Sequence, residues 1–188
     1  MSALVAKHEI SVTIEELARG DVKTCVAYTD LWVDGVGCNK GVIQRKFHVD
    51  LKHLPMESIL MGHAIVIYGI GHELRCMGAV YYGNLMVTFN VLEHAIYHRD
   101  LTGVFPYDLS ATIQITLLAF FKGQTFYAVP SPTGTGEPIM VEYTSNKRVC
   151  IKRGLGLQCR GDIYYYFDVI MPSNPDEIQE TLRLLKSM

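Results

Sequence analysis

The chain has 188 residues, of which 49% are apolar and 19% charged, enough to build one large domain or two small ones and too apolar for a disordered segment. Its formal net charge of −2 excludes a general electrostatic attraction to nucleic acid or to an anionic membrane. The five cysteines, Cys25, Cys38, Cys76, Cys150 and Cys159, are dispersed without a C-x-x-C pair, which argues against a zinc knuckle, a thioredoxin-like site and a disulfide framework, and predicts reduced thiols in a cytoplasmic protein.

In chain order, the first residues, Met1 to Lys7, lack the basic start and long apolar core of a signal peptide. Ile10, Val12 and Ile14 then alternate with Glu9, Ser11 and Thr13, the period-two pattern of a half-buried strand. Glu15 to Gly20 reads as one helical turn stopped by the glycine. Phe47, Val49 and Leu51 alternate with polar neighbours. Further short strands are predicted at 64–68, 85–92, 113–118, 126–129, 139–143 and 163–170, separated by Gly, Pro or Asn. No apolar run approaches the ~18 residues of a membrane span. At the end, Asn174 caps a predicted helix with Pro175-Asp176-Glu177 in its first turn and Ile178, Leu182 and Leu185 on one face. That stripe needs a partner, either its own domain or a second copy.

Landmarks recur along the chain. Val12 to Gly20 and Ala111 to Gly123 each carry a strand, a short turn and a closing glycine. Ile67 to Gly71 and Ile151 to Gly156 each run into a Gly-x-Gly corner. Gly83-Asn84-Leu85 and Gly161-Asp162-Ile163 each open a long terminal strand. The same order in both halves predicts a duplication, with a boundary in the Gly- and Pro-containing stretch 98–107. The resulting fold class is all-β: two tandem β-sandwich domains, at 6–99 and 105–172, with short helical turns, and a C-terminal helix at 173–188.

These landmarks resemble the C-terminal substrate-binding region of DnaJ/Hsp40 co-chaperones of the zinc-finger-free subclass. Val12-Thr13-Ile14-Glu15-Glu16-Leu17-Ala18-Arg19-Gly20 is similar to that family's V-x-L-E-E-L-x-x-G. His94-Ala95-Ile96-Tyr97-His98-Arg99 is similar to its H-x-x-F-x-R, and Gly161-Asp162-Ile163 to its G-D-L. The resemblance implies a non-enzymatic module that binds unfolded or extended apolar segments for hand-over to Hsp70. It places the peptide-binding groove on Ile10, Lys23, Cys25, Ala27 and Val87, while the apolar stripe of the C-terminal helix separately suggests a dimer contact on Ile178, Leu182 and Leu185. The alternative for the groove residues is packing within the sheet. Three departures stand out. The sequence holds no His-Pro-Asp tripeptide of an ATPase-stimulating J-domain and no C-x-x-C-x-G-x-G units. Of the several lysines with which family members meet the acidic Hsp70 tail, only Lys23 is retained, and one exposed Lys contributes little to such a contact.

Other motifs are bland. His94 and His98 have helical metal-ligand spacing but sit at a strand end without H-E-x-x-H, so no metal is expected. The glycine corners and Pro132 to Gly136 lack the dinucleotide fingerprint and the P-loop, so no cofactor is expected. No nucleophile–base constellation is legible. An Hsp40-like assembly protein with one dedicated partner is the second reading, and an enzyme or metal protein on an unrelated β fold the third.

Overall fold

The computed structural model describes residues 4–34, 39–144 and 146–188, so Met1 to Ala3 and Cys38 lie outside the described residues. The fold is mainly β, in several sheets with a few short helices. The chain divides into two compact units, residues 1–93 with 101–106 and residues 94–100 with 107–188.

Unit 1 begins with β1 (Ala6–Val12), which ends two residues before Ile14, the last residue of the alternating sequence pattern. Thr13 accepts from the Glu16 N–H at 3.1 Å while the Glu16 carboxylate accepts from the Thr13 N–H at 3.0 Å. This capping box turns Ile14 into the first residue of α1 (Ile14–Arg19), which Gly20 closes in the left-handed region at φ 70°. The long hairpin β2 (Val22–Asp34) and β3 (Asn39–Asp50) follows, then α2 (Met56–Leu60), β4 (Ile65–Ile67), the short hairpin β5 (Glu73–Cys76) and β6 (Ala79–Tyr82), and β7 (Leu85–Val91). They form two sheets, ordered β1-β7-β4 and β3-β2-β5-β6. Ile10, Val12, Val87 and Phe89 from the first sheet, Cys25, Ala27, Phe47 and Val49 from the second, and Leu17 of α1 are buried. Burial of each large side chain contributes about 1.5–3 kcal/mol against the cost of ordering the chain.

Unit 2 contains β8 (His98–Arg99), β9 (Leu109–Thr116), α3 (Leu117–Phe121), β10 (Phe126–Val129), β11 (Ile139–Glu142), β12 (Val149–Lys152), a 3-10 turn at Leu157–Cys159, β13 (Ile163–Ile170) and α4 (Pro175–Lys186). Its sheets run β12-β13-β9-β8 and β10-β11. Residues 98–99, read from sequence as the end of the first domain, instead pair with β9. The preceding Tyr97 explains why: it is buried in unit 2, its hydroxyl 2.8 Å from that of Tyr165.

Each unit repeats the same core arrangement at the level of individual hydrogen bonds. In each, the opening strand lies parallel to the closing one, β1 on β7 and β9 on β13. A third strand pairs antiparallel to the closing strand: β4 meets Leu85 at Ile67, and β12 meets Ile163 at Lys152. The Gly71 N–H donates to the Gly83 carbonyl as Gly156 does to Gly161, and the His72 N–H donates to Leu4 as Leu157 does to Tyr107. Gly69 donates to the side chain of Asn84, and Gly154 to that of Asp162. The glycines are obligatory here, because a Cβ on Gly83 would lie 1.8 Å from the Leu4 carbonyl oxygen and one on Gly161 2.2 Å from that of Tyr107. Thr13 and Thr116 cap the helices that follow, and Gly20 and Gly123 come next with positive φ.

The copies differ at their margins. The β5–β6 hairpin has no strand counterpart among the described residues of unit 2, where a 3-10 turn joins the Gly corner to Gly161. Its second sheet keeps only β10 and β11. The C-terminal helix forms as the sequence predicts, with the Asn174 side chain accepting from the Glu177 N–H at 2.8 Å.

Candidate functional site

The edges of the equivalent strands β1 and β9 are treated differently. The β1–β7 ladder starts with the Ala6 N–H donating to the Asn84 carbonyl and ends with the Leu92 N–H donating to the Val12 carbonyl. Parallel pairing then commits the even-numbered residues of β1 to β7 and turns the N–H and C=O groups of Lys7, Glu9 and Ser11 outward. Among the described residues no strand covers that edge. In unit 2 the corresponding start of β9 is covered by β8, antiparallel, with His98 opposite Ser110 and Arg99 opposite Leu109.

Beside the open edge lies a depression of about 410 Å³ lined by Lys7, His8, Glu9, Ala64, Met86 and Thr88. The register puts Lys7 next to Met86 and Glu9 next to Thr88 on one face of the sheet. The depression follows from side-chain size, because in unit 2 the positions of Ala64, Met86 and Thr88 hold Val149, Tyr164 and Tyr166. Among its lining residues, Met86 brings a flexible, polarizable thioether of the kind that adapts to varied apolar side chains.

Lys23 stands at the far end of β1. Its ammonium donates to the Ser11 carbonyl at 2.7 Å and to both Glu16 carboxylate oxygens at 3.0 Å. All its donors therefore have internal partners, and Glu16 serves both the capping box and this ion pair. The Ser11 carbonyl is the one outward acceptor of β1 that is closed.

Four of the five residues expected from the sequence to line a groove are buried. Ile10, Cys25, Ala27 and Val87 are 4%, 6%, 1% and 0% exposed, packed in the core rather than lining a surface. Burial also pushes the Cys25 thiol up from its ordinary value, which keeps it protonated and unreactive. Lys23 is at the site but engaged. Lys7, Glu9, Ala64, Met86 and Thr88 were not singled out from sequence; the alternation of Lys7 and Glu9 with Ala6, His8 and Ile10 signals only that they share a face.

Elsewhere, the H-x-x-Y-x-R stretch is structural. The His94 Nδ1 accepts from the N–H groups of Ile96 and Tyr97, each at 3.0 Å, which tightens the turn that delivers Tyr97 to the core. Tyr97 donates to the Pro130 carbonyl, so Tyr165 donates to Tyr97, and burial raises both phenols above their ordinary range. No group of three or more His, Cys, Asp or Glu among the described residues could hold a metal ion. On α4 the residue turned inward is Thr181, whereas Ile178, Leu182 and Leu185 are 42–50% exposed. No described helix is long and apolar enough to cross a membrane.

A scan against protein-family models gives no match, and a search of curated proteins finds no significant relative.

Proposed function

We propose that this chain is a non-enzymatic polypeptide-binding module of Hsp40 C-terminal type, built as two tandem β-sandwich domains, that holds extended apolar segments on unit 1. The observation that carries the reading is the uncovered β1 edge beside the depression at Met86, in the unit whose twin has the start of the equivalent edge covered. An extended segment gains main-chain hydrogen bonds from Lys7 and Glu9 and buries alternate side chains beside Met86 and Ala64. Burial at ~25 cal/mol per Å² of apolar area is tolerant of sequence, as capture of unfolded clients requires. Hand-over to Hsp70 belongs to the proposal, but an acidic tail contact through Lys23 does not, because that ammonium already serves Glu16 and Ser11. Association through Ile178, Leu182 and Leu185 completes it, in a cytoplasmic setting.

The test uses Glu9→Pro. The Glu9 N–H faces outward, so proline removes a donor needed by an incoming strand without breaking the ladder to β7. Wild-type protein is expected to suppress aggregation of a denatured model protein and to bind apolar peptides. Glu9→Pro is expected to keep its fold by circular dichroism and lose both activities. Unchanged suppression by the proline variant would contradict the assignment to β1.

A second reading has support from the β3-β2-β5-β6 sheet. Tyr28 and Val42, on the face opposite Ala27 and Thr29, are 70% and 68% exposed, a surface suited to one folded partner. Recovery of a single native partner, with aggregation of model clients untouched, would favour it.

A further inference from the structure

We infer that the β1 edge pairs antiparallel with the β1 edge of a second copy of this chain, on a two-fold axis at His8. Three observations carry this. The edge is open, with complete outward N–H and C=O sets on Lys7 and Glu9 and the Ser11 carbonyl closed by Lys23. The antiparallel direction is the one that the fold already uses at the equivalent place, where β8 lies on β9. The order of the charges is self-complementary: with His8 opposite its own copy, Lys7 faces Glu9 and Glu9 faces Lys7, so both hydrogen-bonded pairs are also ion pairs. Lys7 and Glu9 are exposed and make no ion pair among the described residues, so both are available. Unit 2 carries the uncharged Ser110 and Thr112 at these positions, and β8 covers the edge at Ser110.

Charges on an exposed edge can also serve to repel other strands. Repulsion between copies needs like charges to meet, and here the two-fold arrangement brings unlike ones together. A pairing confined to one strand edge falls short of the ~1,200 Å² of a stable interface, so this dimer is weak and depends on concentration. It uses the same groups as the client site proposed above, and the two occupants exclude each other. Self-pairing thus shields the edge while clients are scarce.

Sedimentation velocity of the full chain over a concentration series tests the inference without reference to client binding. Wild type is expected to self-associate. Lys7→Glu and Glu9→Lys, each alone, bring like charges together and are expected to weaken association several-fold. An equimolar mixture of these two variants, and the double variant Lys7→Glu/Glu9→Lys, restore opposite charges and are expected to recover it. Identical profiles for wild type and the single variants overturn the inference, since association through α4 alone is blind to residues 7 and 9. Failure of the mixture to associate overturns it as well.

A covalent readout is His8→Cys. His8 meets its copy in a non-hydrogen-bonded pair with Cα atoms about 4.5 Å apart, within disulfide reach. Oxidation is expected to give a dimer beyond the wild-type background that disappears when Lys7→Glu is added. Absence of that added dimer counts against the pairing.

Discussion

Lys23 is read from sequence as a binding residue, but it and the Tyr97–Tyr165 pair hold the fold together. Lys23 joins the end of β1 to α1 through Ser11 and Glu16. Lys23→Met removes a partly buried ion pair and one carbonyl contact, and is expected to cost about 1 kcal/mol in urea unfolding. Tyr97→Phe takes partners from both the Pro130 carbonyl and the Tyr165 hydroxyl. It is expected to cost about 1–3 kcal/mol, more than Tyr165→Phe, which leaves Tyr97 donating to Pro130. Both phenols are raised by burial, so the folded protein keeps protons that the unfolded chain loses above about pH 10. Stability from this pair is therefore complete below pH 10 and falls above it, by up to about 1.4 kcal/mol per pH unit for each tyrosine. Urea melts at pH 8 and pH 11 should show a smaller loss in the double Phe variant.

At the scale of elements, strands bounded by strong punctuation are legible in the sequence. Phe126–Val129 and Ile163–Ile170 form over the residues the pattern predicts, since Gly or Pro flanks each. Ile14 continues the period-two pattern of β1 but is taken by α1, because the Thr13–Glu16 capping box outweighs alternation at a single residue. The site was less legible. Along β2 both faces carry apolar side chains: Cys25 and Ala27 point inward while Val26 and Tyr28 point out. Period two says that the faces differ and not which one is core. The open edge is invisible for another reason, since it depends on β1 pairing with β7, far along the chain, and on β8 covering only the second copy. The shared glycine corners make a prediction of their own. Gly83→Ala and Gly161→Ala drive a Cβ into backbone carbonyls and are each expected to cost more than about 3 kcal/mol or to abolish folding, read by expression and thermal melting. Gly136→Ala, at a positive φ but with open space around it, is expected to cost about 1 kcal/mol.

For the whole molecule, the repeated core has unequal margins. Unit 1 keeps an uncovered edge with a depression beside it, and unit 2 covers the start of the equivalent edge, fills the equivalent positions with Val149, Tyr164 and Tyr166, and carries α4 with its exposed apolar stripe. Capture of extended segments by unit 1 is the central claim. The most direct measurement is photo-crosslinking of an extended apolar peptide bearing a reactive side chain, with the attachment points mapped by mass spectrometry. Capture on β1 predicts attachment at Lys7 to Ser11 and at Ala64, Met86 and Thr88, abolished in Glu9→Pro. Attachment concentrated on unit 2, or on Tyr28 and Val42, with no effect of the proline, would contradict it.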